Sequence, residues 1–221
     1  MGTAQVLSLL RIRSFLILLV SRLLSGHLLL TSFAVVYLVD VFGFTTQRAS
    51  LVLLPFGVGY VTGALLGGFL ADWAARRSPR HGLPGILQGS QFAFAAFAYL
   101  GTQVHYGSIG VYGVLFGLMG IAQGMNPSIN RPMIMAVVQP ELRATAFTIY
   151  VSVFEAIAWA AFGLGAGFVG EAIGLRPVFL TVLVILMLIN GAFLTLLHFP
   201  YAKDVERVQH ALDRRRSEAV G

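Results

Sequence analysis

Three charged side chains lie within long apolar stretches of the sequence, where lipid is the expected surrounding. At 1.5 Å per residue, Arg22, Arg131 and Glu155 each lie about 13–18 Å from the near end of their stretch. A charge at the centre of a membrane helix costs about 2.5–3.5 kcal/mol on insertion scales. The similar depths therefore predict that the three side chains face a water-filled cavity or one another.

The stretch around Arg131 is polar for a segment of this hydropathy. Pro127 and Pro132 lie on either side of Arg131, and each removes one backbone hydrogen bond from the helix and leaves a carbonyl without its donor. A kinked polar helix at membrane depth is typical of the wall of an aqueous route. Its polar amides, which belong to the same candidate group, are Gln123, Asn126 and Asn130.

These residues form a candidate solute-binding or gating group. Arg22 and Arg131 are the candidates for contact with a solute or a gate, with Glu155 as a counter-charge or a proton carrier. A desolvated carboxyl can titrate near neutral pH unless an arginine holds it ionised, so these two roles exclude each other. The alternatives are a buried pair that only fixes helix register, and an Arg22 that reaches back to the interface. His27 belongs to the group, with a hydrogen-bonded packing role as its alternative.

The composition indicates an integral membrane protein. The 221 residues are 57% hydrophobic and 11% charged, whereas a soluble domain carries about 25% charged residues. A chain of this length cannot bury so much apolar surface in its own interior. The absence of cysteine excludes a disulfide scaffold, a zinc–thiolate site and a cysteine nucleophile. The net charge of +6 does not indicate nucleic-acid binding, because the basic residues are clustered between apolar blocks.

Six apolar blocks are each long enough to cross about 30 Å of hydrocarbon as a helix. They predict an all-α membrane protein with a bundle of six transmembrane helices over 14–200, between a cytoplasmic segment 1–13 and a cytoplasmic tail 201–221. Gln88 and Gln91 in the third block are expected to form hydrogen bonds between helices. The predicted blocks are Ser14–Val41, Leu51–Ala71, Leu83–Thr102, Ser108–Val137, Ala144–Val169 and Pro177–His198.

The distribution of positive charge predicts the orientation. Only Arg48 and Arg176 fall in connections on one side, and the other basic residues outside the blocks fall on the opposite side. The positive-inside rule then places both termini in the cytoplasm of a multi-pass protein of the cell (inner) membrane. The tail after Tyr201 is amphipathic, and we expect it to lie on the inner leaflet with its arginines near anionic lipid headgroups.

Small residues recur at helical spacing in three of the blocks and predict close helix packing. Static packing explains any one such stripe, whereas three in one chain also suit helices that slide or flex, because each glycine weakens a helix by about 1 kcal/mol. The stripes are Gly59, Gly63, Gly67 and Ala71 in the second block, Gly113, Gly117, Gly120 and Gly124 in the fourth, and Ala161, Gly163, Gly165 and Gly167 in the fifth.

The end of the second block carries an acid followed by a basic turn. The segment from Gly68 to Arg77 resembles the signature turn of the major facilitator superfamily, although Trp73 and Ala75 depart from it. It also falls between the second and third helices of a six-helix unit, as in that family. The matching residues are Gly68, Leu70, Asp72, Arg76 and Arg77.

A second stretch extends this resemblance to nearly the whole chain. Pro140–Phe147 is similar to the turn before the eleventh helix, so the chain resembles the C-terminal six-helix half of such a transporter, and most closely the spinster-like members. The glycine-proline pair usual in that helix is missing. The resemblance implies a latch at the cytoplasmic end, in which Asp72 holds the start of the fifth block near Ala144. The latch group comprises Gly68, Asp72, Arg76, Arg77, Glu141 and Arg143.

The resemblance further implies a half unit of a secondary active transporter. It would move a small or amphipathic solute by alternating access, and Glu155 could carry a coupled proton. One six-helix repeat cannot enclose a route, so a second half is needed, from another copy of the chain or from a separate polypeptide. No enzymatic activity, cofactor, metal or nucleic-acid partner is expected. The alternative is a non-transporting six-helix protein, either a truncated remnant or an assembly partner of another half.

Overall fold

The computed structural model describes residues 3–220 of the chain, which are helical over most of their length. Five helices, α2, α3, α5, α6 and α7, are long and apolar enough to cross a membrane. The eight helices of the described part are α1 (Thr3–Leu10), α2 (Arg13–Phe42, interrupted at 24–27), α3 (Thr46–Arg77), α4 (Gly82–Gln103), α5 (Ile109–Val137), α6 (Pro140–Ile173), α7 (Leu175–His198) and α8 (Tyr201–Val220).

Helix α4 corresponds to the third predicted block and is 22 residues long. It is not among the five helices that are long and apolar enough to cross a membrane, and it carries Gln88 and Gln91. Gln88 Nε2 donates to the Gly191 carbonyl (2.9 Å) and to Thr195 Oγ1 (2.8 Å). Asn190 donates to Gln91 Oε1 at 3.3 Å. The predicted hydrogen bonds between helices are therefore confirmed, and they join α4 to α7.

Helix α2 is interrupted within the first predicted block. It consists of Arg13–Leu23 and Leu28–Phe42, with a short turn between them. At this turn Gly26 lies against the backbone of α7, where an added Cβ would be 2.1 Å from the Val182 carbonyl oxygen. The interruption brings the two backbones into contact where no side chain fits between them.

Helices α3 and α5 lie parallel and in backbone contact. An added Cβ would be 2.1 Å from the Gly117 carbonyl oxygen at Gly59, and 2.0 Å from the Tyr60 carbonyl oxygen at Gly124. Ser128 Oγ also donates to the Ala64 carbonyl (2.7 Å) across this contact. The two small-residue stripes on these helices thus form one close seam, as the spacing predicts.

Helix α6 changes its winding before Glu155. A 3₁₀ turn at Pro140–Leu142 opens it, and a π-helical stretch covers Thr148–Phe154 before the regular helix resumes. A π-helical turn widens the helix and rotates the residues that follow it. The helix ends at Gly174, whose φ of 84° favours glycine.

Helix α8 packs on the bundle, whereas the sequence suggested a helix lying on the leaflet alone. Tyr201, Asp204 and Val208 are buried. Asp204 Oδ2 accepts from the backbone N–H of Ser14 (3.0 Å) and from its hydroxyl (2.8 Å). This carboxylate caps the start of α2, where Ile12 provides no side-chain cap.

The buried apolar residues form two clusters with a polar layer between them. Along α2 one cluster ends at Leu19 and the other begins at Leu29, and along α5 the corresponding limits are Ile129 and Ala122. The intervening stretches carry Arg22 and His27 on α2 and Gln123 and Asn126 on α5, and Asn130 and Arg131 follow directly after Ile129. The fold therefore places these polar residues of α2 and α5 at or next to the boundary between the two clusters.

Candidate solute cavity

A single cavity of about 480 Å³ is lined by all seven residues of the predicted solute or gate group. The residues come from α2, α5 and α6, and the cavity wall is completed by α3. The structure therefore brings together side chains that are up to 133 positions apart in the sequence, between Arg22 and Glu155. The seven are Arg22, His27, Gln123, Asn126, Asn130, Arg131 and Glu155.

Arg22 and Glu155 form an ion pair between α2 and α6. The Arg22 Nη2 and Glu155 Oε2 atoms are 2.5 Å apart, and the two side chains are 12% and 26% exposed. The guanidinium also lies over the Tyr150 ring, 5.6 Å from its centroid. The pair makes Glu155 the counter-charge of Arg22. It also excludes an Arg22 side chain that reaches back to the interface.

Arg131 is the charged residue of the cavity that has no ion-pair partner among the described residues. Its side chain is exposed, and among the described residues it has no ion-pair or hydrogen-bond partner. It also lines a second, open groove of about 880 Å³ between α3 and α5, together with Arg143. The groove continues from the cavity toward the end of α5, so Arg131 lies where the two meet.

The remaining polar groups of the cavity are only partly hydrogen-bonded. Asn130 Nδ2 donates to Asn126 Oδ1 at 3.1 Å. Among the described residues, buried side-chain atoms without a hydrogen-bond partner include Arg22 Nε, His27 Nδ1 and Gln123 Oε1. Orphaned buried polar atoms are rare in proteins, and their concentration here fits a cavity that binds water or solute.

His27 is buried beside the interruption of α2. Its ring packs edge-on against Phe94, with the centroids 6.2 Å apart. The packing alternative is therefore correct in part, but the hydrogen bond expected for the ring is absent at Nδ1. The ring lines the same cavity as Arg22 and Thr31.

Aromatic residues of the cavity were missed by the sequence analysis. Tyr60 on α3 and Tyr150 and Trp159 on α6 line the same space. No signal distinguishes them from other aromatic residues in apolar blocks, because aromatic side chains are common throughout membrane helices. They add aromatic surface to a cavity that also contains the amides of α5.

The predicted cytoplasmic latch is not formed within the described chain. Asp72 is exposed on α3 and has no hydrogen-bond or ion-pair partner among the described residues, and Arg76 and Arg77 are also exposed. An added Cβ at Gly68 would meet only open space. In this structure Asp72 therefore makes no contact with the start of α6, and the latch stays a prediction.

The start of α6 is held by other contacts. Glu141 forms an ion pair with Arg215 of α8, although both side chains are half-exposed. Arg143 Nε donates to the Val138 carbonyl at 3.3 Å, in the connection before α6. Among the described residues, the ion pair to the start of α6 thus comes from α8 and not from α3.

The sequence matches no protein-family model and no curated protein. Among the described residues, no group of three or more His, Asp and Glu side chains is placed to hold a metal ion. The functional conclusion therefore depends on the geometry and charge of the cavity.

Proposed function

We propose that the chain is a half unit of a secondary transporter of the major facilitator type, with the cavity as its part of the solute route. The observation that carries the proposal is the convergence of seven polar residues on one cavity between two apolar clusters. Each charge at this depth costs about 2.5–3.5 kcal/mol to insert into lipid. A water-filled space around the charged side chains would offset this cost.

The backbones around the cavity support a moving structure. Helix α2 is interrupted at 24–27, α5 contains Pro127 and Pro132, and α6 is π-helical over Thr148–Phe154. Irregular backbone at membrane depth is tolerated where it lines a cavity, and transporters use such discontinuous helices at their binding sites. Each of the three helices that supply polar residues thus has a site at which it can bend.

A second six-helix half is part of the proposal. In the most apolar 18-residue segment of each helix, 22% of α3 and 17% of α6 is buried inside the protein. The corresponding shares are 61% for α2 and 56% for α5. These two exposed helices lie on either side of the cavity, and both contribute to its wall. The glycines of the α6 stripe, Gly163, Gly165 and Gly167, have no neighbour within contact distance of an added Cβ. A second bundle on this face would cover both helices and close the cavity.

We also propose six spans in the inner membrane, with α4 as the sixth and both termini in the cytoplasm.

The proposed latch requires a second conformation in which Asp72 reaches the start of α6. A non-transporting assembly partner is the alternative, because the exposed apolar faces of α3 and α6 suit a partner bundle whether or not solute passes.

The two alternatives differ in the accessibility of the cavity from the two sides of the membrane. The chain has no cysteine, so Asn126→Cys introduces a single thiol on the cavity wall. In oriented vesicles, a membrane-impermeant maleimide should label this thiol from either side, because alternating access exposes the cavity to each compartment in turn.

Val114→Cys is the matched control on the same helix. Val114 is 64% exposed on the apolar outer face of α5, and we expect it to react from neither side. Labelling of Asn126→Cys from one side only would favour the assembly partner, and labelling from neither side would refute an aqueous cavity.

A further inference from the structure

The charges of the cavity and the adjoining groove do not balance. Among the described residues that line the cavity, two are arginines and Glu155 is the one carboxylate. The Glu155 carboxylate is engaged by Arg22 at 2.5 Å, so Arg131 remains without a counter-charge. His27 cannot supply a negative charge in either protonation state.

The surroundings of Arg131 do not supply an anion either. The described residues that line the adjoining groove include Arg143 and no acid. The acid near the end of that groove in the sequence, Glu141, is bound by Arg215 of α8. The guanidinium of Arg131 is exposed to the cavity and the groove, so its N–H donors are accessible to an anion, which its unpaired positive charge attracts.

We infer that the cavity binds a solute through one anionic oxygen-bearing group, a carboxylate or a phosphate, held by Arg131. This inference rests on the proposed function and specifies its substrate class. A guanidinium offers paired N–H donors whose geometry matches such a group. The side-chain Oδ1 of Asn126 accepts from Asn130, and its Nδ2 provides two N–H donors for the same ligand.

The rest of the solute lies against an apolar wall. Phe56 and Tyr60 of α3 and Trp159 of α6 line the cavity beside the charged group. The same anionic chemistry occurs in a dissolved organic acid and in the headgroup of an anionic lipid. The open groove between α3 and α5, which Arg131 also lines, provides an entry for either.

Trp159 provides a direct probe of binding. The chain has two tryptophans, and Trp73→Phe leaves Trp159 on the cavity wall as the single fluorophore. In phosphatidylcholine nanodiscs, this protein is titrated with benzoate, benzamide and benzylammonium, which share one ring and differ in charge. We expect a saturable fluorescence change with benzoate and none with the neutral or cationic probe.

Arg131→Gln should weaken benzoate binding about tenfold or more, since a hydrogen bond to a charged group contributes about 1.5–3 kcal/mol. Arg131→Lys should recover part of the affinity, which separates charge from folding. Arg48→Gln is the matched control, because it removes the same charge from an exposed position of α3 outside the cavity, and it should leave the affinity unchanged.

A second arm distinguishes the two sources of the anion. If the ligand is a lipid headgroup, nanodiscs that contain phosphatidylglycerol should occupy the site and suppress the benzoate response, and Arg131→Gln should abolish this competition. If phosphatidylglycerol has no effect, the ligand is a dissolved anion. Either result supports the inference.

Three results would overturn it: saturable binding of benzylammonium instead of benzoate, equal benzoate affinity in Arg131→Gln and Arg48→Gln, or no anion response in either arm. The labelling of Asn126→Cys keeps this failure distinct from that of the proposed function. Two-sided labelling without anion binding leaves a transporter half whose solute is not anionic, whereas anion binding without two-sided labelling leaves an anion site that does not transport.

Discussion

Replacing Gly124 by alanine tests the seam between α3 and α5, which sets the position of Tyr60 on the cavity wall. The added Cβ would lie 2.0 Å from the Tyr60 carbonyl oxygen and 3.0 Å from the Ala64 nitrogen. Ordinary contacts begin at 3.4 Å. Both obstructing atoms belong to the backbone, so the helices themselves must separate by more than an ångström.

The separation would propagate along the seam. Gly59, Gly63 and Gly120 make equally close approaches across it, at 2.1, 2.1 and 2.2 Å from an added Cβ to a carbonyl oxygen. Overpacking of this kind costs about 1–3 kcal/mol. The better helix propensity of alanine returns about 1 kcal/mol. Since several contacts loosen together, we expect a net loss of about 1–2 kcal/mol in the free energy of unfolding.

The loss can be measured from unfolding by sodium dodecyl sulfate in mixed micelles, with Gly113→Ala as the matched control. Gly113 lies on the same helix, but an added Cβ there would be 3.5 Å from Pro55 Cγ, an ordinary contact. This control should be neutral or slightly stabilising. Equal stability of the two variants would refute the seam described above.

Three further changes test the cavity and the end of the bundle at which α2 and α6 begin. Glu155→Gln leaves Arg22 unpaired, and because Glu155 is 26% exposed we expect a stability loss of about 1–3 kcal/mol, below that of a fully buried pair; an unchanged unfolding midpoint would argue against the pair. Asp204→Ala removes both hydrogen bonds to Ser14 and should lower stability by about 1–2 kcal/mol, measured in the same assay, whereas no loss would contradict the cap. Asp72→Asn should change the labelling rate of a cysteine at the cytoplasmic mouth if the latch forms in another conformation, and an unchanged rate would dismiss the latch.

The cavity residues could be predicted because the cost of charge in lipid does not depend on the fold. Arg22, Arg131 and Glu155 have to leave the hydrocarbon in any helical arrangement, and their similar depths restrict them to one layer. Which of the two arginines pairs with Glu155 could not be predicted, because the neighbours of a helix depend on how all the helices pack. The aromatic wall of the cavity was missed for the same reason.

Other features depended on local backbone contacts that leave little trace in the sequence. The interruption of α2 at Gly26 coincides with a backbone contact to Val182 of α7, 156 positions away in the chain. The latch illustrates a different difficulty. The second block was predicted to end at Ala71 and to be followed by a basic turn, whereas α3 continues as a helix through Arg77. Asp72 therefore lies within the helix, and its predicted contact is not formed in this structure.

The most direct test of a half unit is the mass of the native particle that contains this chain. The particle can be extracted with its surrounding lipid and measured by native mass spectrometry, which also identifies its protein components. Because α3 and α6 leave the cavity open on one face, we predict a particle with at least two six-helix bundles, made of two copies or of one copy with another polypeptide. A particle that contains a single copy of this bundle and no other protein would contradict it.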